Sequence, residues 1–151
     1  MTGTGDPGGG TKVIEQYFDI MNRLDIGALG DLPTEDVVVR LPFAPAPVPQ
    51  RTEGRDAVLA LYGGFPSLVS PLGFHDRTVL PVGQPLATPG EYVAEYRSDC
   101  TMLSTGQPYR NSYISLFTVR DGQLAAIAEF FDPLVFLTAQ AFTITPPPAV
   151  S

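Results

Sequence analysis

The chain is poor in the residues that build most protein-held metal and covalent sites. It has one cysteine, Cys100, and one histidine, His75, in 151 residues. A single cysteine excludes an internal disulfide and a cysteine-based zinc site. Transition-metal sites draw on several Cys or His ligands, so the composition points away from a metal. A Ser-His-Asp triad would have to use His75, and no Gly-x-Ser-x-Gly motif is there to display the serine. Charge is also scarce, at 17% of residues, against roughly a quarter in an average domain. It leans acidic, with sixteen Asp and Glu against nine Lys and Arg and a net charge of -7. A compact acidic domain repels phosphate backbones, which argues against nucleic acid as a partner. No run of like charge suggests a tail for a membrane surface. No apolar run reaches the roughly 18 residues that span a bilayer. The N-terminus lacks the basic-then-apolar layout of a signal peptide. The expectation is a soluble cytoplasmic protein.

What is present is apolar: 44% of residues are hydrophobic and 10% aromatic. That is enough for one core, with apolar surface left for a pocket or a partner. Residues 1–10 hold five glycines and a proline and read as a flexible leader, and residues 143–151 read as a Pro-rich tail. A single domain is expected over 11–142. Its first helix spans 12–24, with Thr11 as N-cap and Val13, Ile14, Tyr17, Ile20, Met21 and Leu24 as one apolar stripe. Tyr17 and Met21 read first as core, and Tyr17 also as a pocket wall. A short second helix over 25–32 is weakened by Gly27 and Gly30 and ended by Pro33. Residues 37–41 are a strand. Four prolines between 42 and 49 leave few backbone donors and predict a stiff extended loop. A third helix covers 54–63, with Ala57, Val58, Leu61 and Tyr62 inward.

From residue 74 the pattern turns to strands, at 74–82, 92–103, 109–120 and 123–131. Asp121-Gly122 is a tight hairpin signal, and Thr105-Gly106-Gln107-Pro108 serves the pair before it. A terminal helix over 133–142 covers an edge, capped by Asp132. Helices first and an antiparallel sheet afterwards make an α+β fold. A curved sheet around a long helix forms a cone with a pocket inside.

Alternate strand residues share a face. In the strand from Tyr92, one face carries Tyr92, Ala94, Tyr96, Ser98, Cys100 and Met102, and the other Val93, Glu95, Arg97, Asp99, Thr101 and Leu103. Charges in a row ordinarily mark a solvated outer face. The last strand argues the other way. Both its faces are apolar, and Glu129 is its one ionisable group, flanked by Ile127, Phe130 and Phe131. Glu129 is either a rim carboxylate in water or a desolvated acid whose raised pKa suits proton transfer near neutrality. If Arg97 and Asp99 share its cavity, the arginine can anchor two acids whose pKa values split into donor and acceptor roles. Asn111 and Tyr113 have the parity to orient a substrate oxygen, although Tyr113 could equally be core. His75 reads as a surface histidine and Cys100 as an inert buried thiol.

Three stretches carry a family resemblance: Thr105-Gly106-Gln107-Pro108-Tyr109-Arg110-Asn111-Ser112-Tyr113, Val119-Arg120-Asp121-Gly122-Gln123-Leu124 and Glu129-Phe130-Phe131-Asp132-Pro133. With Leu41-Pro42-Phe43-Ala44-Pro45 and Glu53-Gly54-Arg55-Asp56-Ala57-Val58, they resemble SnoaL-like proteins of the NTF2-like superfamily over residues 12–140. That superfamily also holds ketosteroid isomerases, limonene-type epoxide hydrolases and phenazine-biosynthesis cyclisation proteins. The resemblance implies a cone, with three N-terminal helices packed in a curved, mostly antiparallel sheet. It also implies a homodimer, no cofactor and a hydrophobic small-molecule substrate.

Tyr96-Arg97-Ser98-Asp99 resembles the Arg-x-Asp of the epoxide hydrolases, whose second acid falls on Glu129. The phenazine-type proteins similarly place a glutamate before an aromatic pair, again Glu129. The positions that hold the hydrolytic water in the epoxide hydrolases match Val38 and Arg40, which cannot do so. Arg40 would better bind an enolate or carboxylate. The expected function is a cofactor-free cyclase or isomerase acting on a polyketide-type molecule. Glu129 would be acid/base, Asp99 its partner and Arg97 the charge anchor. Arg40, Tyr113, Asn111, Val38, Tyr17, Ile127 and Phe131 would bind substrate. The alternatives are an epoxide-opening enzyme on the same trio, a shape-driven pericyclic cyclase, and a non-catalytic binding or dimerisation domain.

Overall fold

The computed structural model describes residues 9–82, 90–143 and 145–149. Most of the expected leader lies outside the described residues. Helix α1 (Gly10–Arg23) begins two residues earlier than its stripe implies, with Gly9 at φ 68° as N-cap and Thr11 inside the first turn. The reason is steric: a Cβ on Gly10 would sit 2.3 Å from the Tyr92 ring, so only glycine lets the helix enter that close to the sheet. The apolar stripe is the core face, and Ile14, Tyr17, Phe18 and Met21 are almost wholly buried. Phe18 packs edge-on against Phe74, Tyr96 and Phe117 with ring centroids 4.6–5.9 Å away.

The expected second helix is only a 3-10 turn, Ile26–Leu29. Pro33 does not merely stop it but opens strand β1 (Pro33–Arg40), since a proline is tolerated as the first residue of a strand. The proline loop that follows is turned rather than extended. Ala44 N–H bonds to Leu41 O at 3.0 Å, Val48 N–H bonds to Pro45 O at 3.1 Å, and Leu41 N–H ties back to Gln50 O at 2.9 Å. Two of the donors that remain between the prolines, those of Ala44 and Val48, fold the loop back. Next come β2 (Arg51–Glu53), α2 (Arg55–Gly63) and a short α3 (Phe65–Leu68) that the sequence reading left out. Val58 and Tyr62 are the buried side of α2, Leu61 is half-buried and Ala57 faces solvent.

The remaining strands are β3 (His75–Pro81), β4 (Glu91–Arg97), β5 (Cys100–Thr101), β6 (Pro108–Tyr109), β7 (Ser112–Arg120) and β8 (Gln123–Phe131). Helix α4 (Pro133–Ala139) ends the fold, with Asp132 accepting from Leu134 N–H at 2.9 Å as its cap. Among the described residues the six-stranded sheet runs β2-β1-β8-β7-β4-β3, and only its β1–β8 pairing is parallel. Asp121 and Gly122 turn the β7–β8 hairpin with φ of 53° and 76°, the left-handed pair that Asp-Gly favours.

The arms expected at 92–103 and 109–120 are one continuous hairpin in register, broken at Ser98–Asp99 and Arg110–Asn111. There Asn111 Oδ1 turns to the N–H groups of Ser112 and Asp132, and Asp99 N–H turns to Leu72 O. Beyond the bend the tip pairs with the chain after α3 (Leu103 N–H to Leu68 O, 2.9 Å) and closes a cone.

Candidate active site

The site is built by the concave face of the sheet. Along β4, Tyr92, Ala94 and Tyr96 point inward and are buried, while Glu95 and Arg97 are exposed. On β7 the inner residues are Tyr113, Ser115 and Phe117, and on β8 they are Ile127, Glu129 and Phe131. The register sets Glu129 opposite Ser115, and Ser115 opposite Ala94. Over this face lies a cavity of about 80 Å³ that opens into a wider mouth. Tyr17 and Met21 of α1, Phe65 and Leu68 of α3, and Phe74 at the start of β3 form one side. Tyr109, Tyr113, Glu129 and Phe131 of the sheet and Phe136 of α4 form the other, with Leu41, Val48, Val69 and Leu72 between them.

Among the described residues Glu129 is the only carboxylate in that wall, and no Lys, Arg or His joins it. Its Oε2 accepts from Tyr96 O–H at 2.8 Å. Tyr96 O also meets Ser115 Oγ at 2.7 Å. Because Tyr96 spends its hydrogen on the carboxylate, Ser115 is the donor in that second contact. Glu129 Oε1 has no hydrogen-bond partner among the described residues. Burial among aromatic rings pushes the Glu129 carboxyl up to about 7, against the Tyr96 hydrogen bond, which pulls it down. The phenols around it titrate far above their usual range, chiefly from burial: Tyr17, Tyr96 and Tyr113 are raised well above 10, and Tyr109 to about 12.

The expected trio is not assembled. Arg97 and Asp99 lie on the outer, solvated face, and Asp99 pairs there with Arg110 at 3.0 Å, both side chains more than half exposed. The even residues of β4 are the apolar ones, so burying them turns every odd charge outward. β1 obeys the same rule: Val37 and Val39 fill the interior, which leaves Val38 half-buried and Arg40 exposed on the opposite face. Neither lines the cavity. Asn111 is buried but fully committed to backbone and to Tyr109, so it braces the bend instead of meeting substrate. Ile127 is core, paired with Phe117 and Val39, and does not line the Glu129 cavity. Glu129, Tyr17, Tyr113 and Phe131 do come together in it, and so does Met21. The sequence reading missed Tyr96 and Ser115, although Tyr96 shares the apolar parity of β4, and it missed Tyr109, Phe74 and Phe136.

His75 is exposed and Cys100 buried. Among the described residues no three His, Cys, Asp or Glu side chains converge as a metal would require. No described helix is long and apolar enough to cross a membrane.

Residues 14–132 match the SnoaL-like domain. The chain belongs to the SnoaL-like family. A relative in Bacillus subtilis, the uncharacterised protein YesE, is 29% identical over 124 residues, 82% of each chain. A solved structure from Bacillus subtilis, provisionally named an isomerase, superposes with a TM-score of 0.80 at 27% identity and covers 91% of this chain and 96% of its own. A second, from Xanthomonas campestris and provisionally named a polyketide cyclase, gives 0.70 at 22% identity over 86% and 95%, a likeness of fold. The architecture is the NTF2-like cone, an α+β fold with helices in a curved sheet.

Proposed function

We propose that this SnoaL-like protein is a cofactor-independent cyclase or isomerase that moves a proton on a hydrophobic carbonyl compound, with Glu129 as acid and base. The observation that carries the reading is one carboxyl, with a pKa near 7 and one free oxygen, in an otherwise apolar aromatic cavity. As carboxylate, Glu129 takes a proton from a carbon beside the carbonyl, and the electron pair moves onto the carbonyl oxygen as an enolate. As carboxylic acid, it then returns that proton. Returned to a different carbon, the proton completes an isomerisation. Alternatively, the enolate carbon attacks a second carbonyl of the same molecule, and the alkoxide formed takes the proton, which completes a cyclisation. Tyr96 holds the carboxyl in position through both states. The aromatic walls favour a flat, unsaturated substrate of the polyketide type.

Epoxide opening on the expected trio loses two of its three groups, because Arg97 and Asp99 face solvent. The protein acts as a homodimer joined through the outer face of the sheet. There Leu80 of β3 and Ile114 and Leu116 of β7 are 55%, 50% and 44% exposed, with Val93 of β4 paired between Leu80 and Leu116, and Phe130 packs with the exposed Phe43 at one end.

The test uses 2-tetralone, a flat ketone with exchangeable hydrogens, in deuterated water. The wild-type protein accelerates their exchange, and Glu129→Gln loses about a hundredfold or more of that acceleration. A folded Glu129→Gln protein that exchanges at the wild-type rate overturns the reading.

A further inference from the structure

We infer that Tyr109 is the group that binds the substrate's carbonyl oxygen and carries its developing charge. Three tyrosines line the cavity: Tyr17, Tyr109 and Tyr113. Tyr17 donates to Tyr62 at 3.3 Å and Tyr113 donates to Tyr109 at 3.3 Å, so both hydrogens are committed. Tyr109 only receives. Its oxygen accepts from Tyr113 and from Asn111 Nδ2 at 2.9 Å.

The Asn111 donor cannot be turned round. Its Oδ1 already accepts two backbone N–H groups, from Ser112 at 2.8 Å and Asp132 at 3.2 Å, and its Nδ2 also donates to Asp132 O at 3.0 Å. Behind Tyr113 the same direction holds. Asn111 N–H donates to Ser98 Oγ at 3.2 Å, and Ser98 in turn meets Tyr113 O at 2.9 Å, where Tyr113 has no hydrogen left to give. Every hydrogen in the chain Ser98, Tyr113, Tyr109 therefore runs toward Tyr109. Its own O–H has no acceptor among the described residues.

A phenol that receives two donors and keeps its hydrogen free is a strong donor to an incoming oxygen, because negative charge drawn onto it is already stabilised. Those two hydrogen bonds pull Tyr109 down against its burial. The cavity thus presents two free polar functions, the Tyr109 O–H and Glu129 Oε1. One polarises a carbonyl while the other moves a proton on the carbon beside it. This inference rests on the proton-transfer reading above and gives it an oxygen site. The substrate it selects has one hydrogen-bond-accepting oxygen at the bend end of the cone.

The experiment reads the infrared carbonyl stretch of carbonyl-labelled 2-tetralone bound to the full chain, together with deuterium exchange. The wild-type protein lowers the stretch relative to an apolar solvent. Tyr109→Phe returns it toward the solvent value and slows exchange about a hundredfold. Tyr113→Phe removes a committed hydrogen and keeps most of the lowered stretch. Equal stretches in wild type and folded Tyr109→Phe overturn the inference, and so does a full loss in Tyr113→Phe. Should Tyr109→Phe fail to fold, Tyr109→3-fluorotyrosine keeps the shape with a more acidic phenol. It must then lower the stretch further, and no change overturns the inference. The same stretch is read in Glu129→Gln. A Tyr109-dependent stretch with wild-type exchange in Glu129→Gln sinks the proton-transfer reading and spares the oxygen site. Loss of exchange in Glu129→Gln with a stretch indifferent to Tyr109 does the reverse. No binding of the ketone by the wild-type protein sinks both.

Discussion

The two faces of the sheet have opposite chemistry. The outer face carries a row of charge: Glu95, Arg97 and, past the bend, Asp99 are all exposed, and Asp99 pairs with Arg110. The inner face holds one acid, Glu129, among rings. Charge is abundant where it can do little and solitary where it matters. Outside, water screens each pair, and an exposed ion pair is worth about 0–1 kcal/mol. Inside, the same carboxyl group is lifted to about 7 and becomes able to give and take a proton near neutrality.

The largest expected effect exploits that contrast. Glu129→Gln cuts 2-tetralone exchange about a hundredfold or more, while Arg97→Ala and Asp99→Ala change it less than about threefold, consistent with screened surface charges. A large loss in either outer-face variant would break the division between the faces. The next prediction concerns stability. The folded-state pKa of Glu129 lies above its ordinary 4.5, so the native state holds the proton longer than the unfolded chain. Stability is then full below pH 4.5 and falls as pH rises toward 7, by up to about 3 kcal/mol. Glu129→Gln escapes this loss. Thermal melts should show it more stable than wild type at pH 8, with the gain gone by pH 4.

A third prediction sharpens the role of Tyr96. Its hydrogen bond favours the carboxylate, so Tyr96→Phe should move the midpoint of the exchange-rate profile above that of wild type. A midpoint that stays or falls denies the bond its role. The smallest effect on the site comes from the outer face: Leu116→Glu should separate the proposed dimer in sedimentation without shifting that midpoint.

Much of this was legible in the sequence because period-two alternation is a strong signal. The stripe of α1, strands β3 and β8, the Asp-Gly turn and the helix cap at Asp132 are all where the pattern puts them. Glu129 was legible too, as the one charge in a strand apolar on both faces. Arg97 and Asp99 carry the family-like Arg-x-Asp spacing but stand on the outward parity of their strand. Tyr92, Ala94 and Tyr96 already claimed the interior, and residues of opposite parity on one strand cannot share it. Arg40 went the same way once Val37 and Val39 were buried. The bend at Ser98 and Asn111 was hidden, since it is made by side chains that stand in for ladder partners and leave no periodic trace. That bend is what makes Tyr109 a cavity wall.

The most direct test is a titration of the Glu129 side-chain carboxyl itself, by carbon-13 labelling of glutamate and comparison with Glu129→Gln to identify its signal. A midpoint near 7 is what the apolar cavity dictates. A midpoint near 4.5, the value of a carboxyl in open water, would contradict the account at its centre.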